Sequence, residues 1–353
     1  MKKQIGYIFV LIYFLMFNYA FSQEAIKSDK IPEVSQVFLE QAILPIKLAY
    51  SIKYIKKNTN DTTYVKSNFS YQLKDSSRQE LAMLLRVRGN FRLMKCYFPP
   101  LKIKFKKALS KNTIFEGNKS LKIVLPCLQQ EDKNDNVIRE YLAYKLFEIV
   151  SPYHFKTRLI DVTFEEEKGK KIKVHRLKGF LIEDDKTVAK RLNGKVYDGF
   201  IHPFGQESKT CVRNAFFQYM IGNTDFSQSY RHNVKLLFID KKMVPIPYDF
   251  DMAGLVNASY AQVAEALEEK LGVTSVTQRI YRGFKRDKII FTQVRQEFIE
   301  RKPEMLSLYD DHAYLFENPK EFKQAKDYLS SFFDILENDE TYTKEIILKV
   351  RKI

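Results

Sequence analysis

The chain has 353 residues and a formal net charge of +16, with 45% hydrophobic and 14% aromatic residues, the latter all Phe or Tyr. A packed core is feasible, and only 12 glycines exclude long Gly-rich linkers and low-complexity segments. Three cysteines without CxxC spacing argue against a zinc site.

The N-terminus has the layout of an export signal. Lys2 and Lys3 form a short positive region, and Ile5 to Phe17 is an almost unbroken apolar run. Ala20-Phe21-Ser22 then places small residues at −3 and −1 of a cleavage site, with Gln23 as the mature start. The apolar run is shorter than the roughly 20 residues of a spanning helix. No Cys follows it to carry a lipid anchor, and no later segment is apolar enough to span a bilayer. Residues 1–22 are therefore expected to be a signal peptide. The protein is expected to be exported (periplasmic, cell-surface or secreted) with no stable membrane anchor after cleavage.

About 330 residues remain, enough for one two-lobed domain or two small ones. An N-terminal helical segment is expected over 23–60, where Val34, Val37, Phe38, Gln41 and Ala42 follow a 3.6-residue period until Pro45 interrupts it. Leu81 to Arg88 reads as a strand ending at Gly89-Asn90. Leu101 to Phe105 and Leu121 to Leu125 alternate with period two. Glu131 to Asn136 is a turn that also caps a helix from about Val137 to Ile149, with Ile138, Tyr141, Leu142, Lys145 and Leu146 in amphipathic order. Strands over Thr157 to Glu165 and Ile172 to Ile182 follow. After Asp185 the pattern turns helical, over Ser208 to Ile221, Asp287 to Glu300 and Lys320 to Leu336. A strand pair at Val234 to Phe238 and Val244 to Ile246 interrupts these helices. The expected class is α+β and two-lobed: an antiparallel-sheet lobe with one helix over 61–185, then a mainly helical lobe over 186–353 carrying the acidic site.

The cysteines leave two readings open. Outside the cytoplasm thiols can oxidise. Cys96 and Cys127 flank neighbouring predicted strands and are placed to pair, with Cys211 alone on an apolar helix; three buried free thiols are the alternative. The lysines are scattered, as in Lys102 to Lys107 and Lys168 to Lys173. A basic surface attracts nucleic acid, acidic polysaccharide or phosphate, or is simply a solvated face. For an exported chain no nucleic-acid partner is expected.

The densest polar cluster in an apolar setting runs Gly222-Asn223-Thr224-Asp225, then Arg231-His232-Asn233, then Pro245-Ile246-Pro247-Tyr248-Asp249-Phe250-Asp251. A hairpin between the second and third pieces brings both loops to one end. Phosphoryl transfer from a nucleotide uses this inventory. A divalent metal takes carboxylate and carboxamide oxygens, and a further carboxylate orients or deprotonates the acceptor hydroxyl. Asp225 is the candidate base and Asn233 and Asp251 are candidate metal ligands, with Asp249 as the alternative. His232 reads as ordering the loop.

These residues, in the order Asp, gap, His-Asn, strand, Pro-x-Pro-Tyr-Asp-x-Asp, resemble the catalytic and metal loops of the CotH (spore-coat protein H) kinase family, atypical protein-kinase relatives. More distantly they are similar to those of HipA-type kinases. Upstream, Arg88-Gly89-Asn90 resembles that family's RGN element, and Leu101 to Phe105 resembles its lysine-bearing strand. Ile138 to Ala143 is similar to the helix that supplies the partner Glu, and Gly179 to Glu183 to the strand entering the interlobe hinge. The resemblance implies an atypical kinase-like fold and ATP, or another nucleotide, with Mg²⁺ or Mn²⁺. It implies nucleotide-binding roles for Arg88, Lys104 or Lys102 (on one face of their strand), Glu140 as the lysine's ion-pair partner, and Glu183. No GxGxxG phosphate loop is present. The expected activity is transfer to a hydroxyl of a protein acceptor of unknown identity. The alternative is a catalytically silent binding module whose basic face meets an acidic partner. A nuclease would explain the charge but not the upstream Lys–Glu order.

Overall fold

Strands whose side chains alternate between a buried and a more open face can curl until the buried faces meet. The first half of the chain does this. A computed structural model describes residues 34–352 apart from 90, 130–132 and 264, so the expected signal peptide and Asn90 lie outside the described residues. In it, β1 (Leu44–Tyr50), β2 (Val65–Gln72), β3 (Arg78–Val87), β4 (Leu101–Phe105), β5 (Ser120–Val124), β6 (Thr157–Lys168) and β7 (Lys171–Glu183) close a barrel. The strand order is β1-β2-β3-β4-β5-β7-β6. Neighbours are antiparallel except at the closing seam, where β1 runs parallel to β6 from Leu44 opposite Ile160 to Tyr50 opposite Glu166. Leu48, Phe69, Leu85, Ile103, Ile123 and Phe164 belong to one buried cluster that fills the interior.

This corrects the expected class. The first half is not the antiparallel-sheet lobe of a two-lobed atypical kinase-like fold; it is a closed seven-stranded mixed barrel. The cause is β1, which the helical reading of 23–60 passed over. Among the described residues of that segment the helices are Gln36–Leu39 and Ile52–Asn58, and between them Leu44–Tyr50 alternates buried and half-buried along its whole length. Pro45 does not break this strand. It stands at the second position, before pairing with β2 begins at Ile46, where a missing N–H is tolerated.

The Lys133–Val150 helix is buried on nearly all sides, because it packs against β6 and β7 on one side and the C-terminal helices on the other. Arg139 on this helix is fully buried, and its Nη1 donates 2.8 Å to the Val256 carbonyl oxygen. Beyond the barrel, β8 (Lys195–Tyr197), β9 (Val234–Ile239) and β10 (Lys242–Pro247) form an antiparallel sheet in the order β10-β9-β8. The helices Ser208–Met220, Lys288–Asp311 and Pro319–Glu337 share a second core with it, through Phe216, Phe217, Phe298 and Phe332. Among the described residues no helix is long and apolar enough to cross a membrane.

Cys96 and Cys127 form a disulfide with Cα atoms 4.4 Å apart, and Cys211 is a buried free thiol. The bridge ties the short Phe91–Lys95 helix to the chain leaving β5. The crosslink closes a loop of 31 residues, so the Cys96→Ser, Cys127→Ser double variant is expected to lose about 3–4 kcal/mol of unfolding free energy. Urea unfolding of the oxidised parent and the variant measures this; equal midpoints would mean the bridge does not stabilise the fold.

Candidate functional site

The Ser208–Met220 helix stops because Gly222 adopts φ +63° and carries no Cβ; one would lie 1.9 Å from the Tyr328 hydroxyl. The chain then turns on Asn223, whose Oδ1 accepts the Asp225 N–H at 2.9 Å. Asp225 is gripped from both sides. His232 Nε2 lies 2.9 Å from its Oδ1, and Asn233 Nδ2 donates to its Oδ2 at 3.0 Å and to its carbonyl oxygen at 2.7 Å. Partial burial raises the Asp225 pKa, as does the charge of Asp249, while His232 opposes the shift.

The β9–β10 hairpin returns the chain to the same end, where the Tyr248 N–H donates 3.0 Å to the Asn233 carbonyl oxygen. Asp249 follows at φ +64°, its N–H donating 2.9 Å to the Tyr144 hydroxyl. Asp251 is buried, with Arg92 Nε 3.6 Å from its Oδ2. Burial pushes Asp251 up to about 6, with Arg92 opposing and Asp249 and Asp225 adding to the rise. The structure thus brings Asp225 and Asn233 into contact and sets Asp249 and Asp251 within electrostatic reach of Asp225.

The upstream residues are arranged differently from expectation. Glu140 is buried and its charged partner is Arg92, at 3.7 Å, not Lys102 or Lys104. Desolvation still raises Glu140 to about 8, against the pull of Arg92. Lys102 pairs with Asp184 at 2.8 Å, and Lys104 Nζ stands 4.1 Å above the Tyr64 ring. The Glu183 carboxylate is buried and taken up by Arg191, 2.9 Å away, and by the Lys156 N–H at 3.1 Å. It reads as a structural ion pair where the chain leaves the barrel. Arg88 is half-buried, and its charge acts on Glu140, Tyr144, Tyr248 and Lys122.

Lys122 and Arg92 escaped the sequence reading. Lys122 is 8% exposed on β5, directly opposite Lys102, between the rings of Phe155 and Tyr248, each 5.1 Å away. Burial lowers it to about 8, and Arg88 adds to the fall. One signal did point to it: a single lysine inside the otherwise apolar Leu121–Val124 stretch. Arg92 carried no such signal, because its two acidic partners are distant in sequence.

Among the described residues no three His, Cys, Asp or Glu side chains form a group able to hold a metal alone. Mg²⁺-like ions commonly take one or two protein carboxylates and complete their shell with phosphate oxygens and water. The donors present fit that mode. Among the described residues Asn233 donates through Nδ2, which leaves its Oδ1 as an acceptor, and Asp251 Oδ2 accepts no hydrogen bond. No family model and no curated protein sequence matches this chain.

Proposed function

We propose that the chain is an exported phosphotransferase that moves the terminal phosphoryl group of ATP, or another nucleotide, to a hydroxyl on a protein acceptor with the help of Mg²⁺ or Mn²⁺. The observation that carries this reading is the convergence of opposed groups on Tyr248: its ring stands 5.1 Å from the buried Lys122, and the charges of half-buried Arg88 and of Asp249 and Asp225 all act on it. Lys122 and Arg88 bind and orient the phosphates. Asp225, held by His232 and Asn233, accepts the proton of the acceptor hydroxyl as its oxygen bonds to phosphorus and the bond to the leaving diphosphate breaks. The divalent ion, when bound through Asn233 with Asp249 or Asp251, neutralises charge on the phosphates. The collinear resemblance to CotH-family loops supports the same roles.

A thermal-shift assay of the mature protein tests it. ATP with Mn²⁺ at about 100 times its dissociation constant is expected to stabilise the parent by about 2.7 kcal/mol. Lys122→Ala is expected to lose most of that shift while keeping its own ligand-free Tm within a few degrees. No shift with ATP or GTP and either cation would remove the reading. One observation favours a second reading, a catalytically silent binding module: Arg92 already supplies Asp251 with a cation 3.6 Å away. That reading expects any nucleotide shift to be indifferent to the metal.

A further inference from the structure

Three arginines beside the Asp225 loop lie against phenylalanine rings: Arg282 over Phe226 at 5.4 Å, Arg286 over Phe204 at 4.5 Å and Arg351 over Phe284 at 4.5 Å. They form one continuous feature. Phe204 and Phe284 meet edge to face at 5.9 Å. The Arg351 N–H donates to Gly283 at 2.9 Å, and its carbonyl accepts from Lys285 at 3.0 Å. Arg282 Nη1 donates to the carbonyl oxygens of Thr224 and Phe226, on either side of Asp225 in sequence. The row therefore starts at Asp225 and runs outward.

Some arginines on this half of the protein are paired with carboxylates, as Arg213 with Glu297 at 2.8 Å and Arg295 with Asp339 at 2.7 Å, while Arg279 is taken up by carbonyl oxygens, Ser331 and the Tyr328 ring. Among the described residues, Arg282, Arg286 and Arg351 have no such ion pair; their contacts are rings, carbonyl oxygens and, for Arg286, the Cys211 side chain, and Asp225 acts on Arg282 only through its field. The nearest acid in the stretch, Asp287, is engaged in capping the Lys288–Asp311 helix through the Ile289 N–H. Exposed rings border the same loop, with Tyr230 88% and Phe200 66% exposed. A guanidinium already placed against a ring keeps its charge and loses little freedom on meeting a carboxylate.

We propose that this arginine–phenylalanine row docks an acidic polypeptide segment, rich in Glu or Asp, beside the hydroxyl presented to Asp225. The siting of the hydroxyl rests on the phosphotransferase reading; the docking does not. Separate cationic spots among exposed rings suit carboxylates spaced along a peptide with apolar side chains between them. They suit a uniformly charged polymer less well.

Fluorescence anisotropy with the mature protein, without nucleotide or metal, tests the docking apart from the chemistry. The probe is a labelled ten-residue peptide in which Glu alternates with Leu around one Ser, compared with its Gln counterpart. The Glu peptide is expected to bind at least about tenfold more tightly, a difference of about 1.4 kcal/mol, and to weaken steeply with salt. Arg286→Gln with Arg351→Gln is expected to lose about tenfold, while Tm and the ATP–Mn²⁺ shift stay as in the parent. If that double variant melts early, Arg351→Glu alone serves: it should weaken the Glu peptide and favour a Lys peptide. Equal binding of the Glu and Gln peptides would overturn the proposal, as would parental affinity in the variants. So would tighter binding, through the same arginines, of a sulfated polysaccharide or a phosphatidylglycerol vesicle.

Discussion

Asp225→Asn is expected to lower phosphoryl transfer by about 10²- to 10⁴-fold, the usual worth of a positioned general base, and to leave ATP–Mn²⁺ binding within a few-fold of the parent. The asymmetry follows from the contacts. The amide keeps the shape of the carboxylate, and its oxygen still accepts from Asn233 Nδ2, at 3.0 Å in the parent. The new NH₂ can donate to His232 Nε2, 2.9 Å from that side, once His232 carries its proton on Nδ1. The loop therefore holds, but the amide cannot take a proton. Asp251→Ala should do the opposite, losing metal-dependent binding because a hard cation loses a charged oxygen. Conversion of ATP to ADP in the presence of the Glu-rich Ser peptide, measured beside the thermal shift, separates the two. Parental turnover by Asp225→Asn would rule out its role as base.

Arg92→Ala should be the most destabilising single change at the site, by about 3–5 kcal/mol, because it leaves two buried carboxyls without their cation. Arg92 lies 3.7 Å from Glu140 and 3.6 Å from Asp251, and its Nη2 donates 3.0 Å to the Leu125 carbonyl oxygen. Arg92 sits one helical turn before the disulfide, with the Cys96 N–H donating 2.9 Å to its carbonyl oxygen. The pH dependence is a second readout. Carboxyls whose folded pKa is raised contribute stability below their unfolded values near 4, and lose it as pH rises through the folded values, about 6 for Asp251 and about 8 for Glu140.

His154, lowered to about 4 by burial, acts oppositely: stability rises with pH between about 4 and the unfolded histidine value near 6.5. The window from about pH 6.5 to 7.5 is therefore the one in which Glu140 governs the slope, before the release of the proton from Lys122, lowered to about 8, opposes it, and stability should fall across that window. Arg92→Ala should steepen that fall, because both carboxyls hold their protons more tightly without the cation. Arg92→Lys should restore part of the stability. Urea unfolding at several pH values measures all three proteins. An Arg92→Ala profile parallel to the parent's would mean Arg92 does not set the charge of this pair.

Several features were determined by residues close together in sequence. The period-two alternation of Leu101 to Phe105 specifies β4, observed with those bounds, because a strand's faces are set by its own residues. The meeting of Asp225 with Asn233 is equally local: both belong to one loop between a helix and a hairpin strand, and Asn223 and Gly222 supply the turn chemistry that curls it. What only the tertiary structure decided concerns partners far apart along the chain. Closure of the barrel needs β1 to find β6 more than a hundred residues later, and the alternation of Leu44–Tyr50 does not specify which strand it will meet. Glu140 pairs with Arg92 and not with a lysine of β4, because the disulfide and the Leu125 carbonyl hold the Phe91–Lys95 helix over it. Lys122 is buried because Phe155 and Tyr248 close over it from separate segments. Periodicity says which face of an element is apolar; the element that covers that face, and with it each buried charge's partner and proton affinity, is chosen by packing across the whole chain.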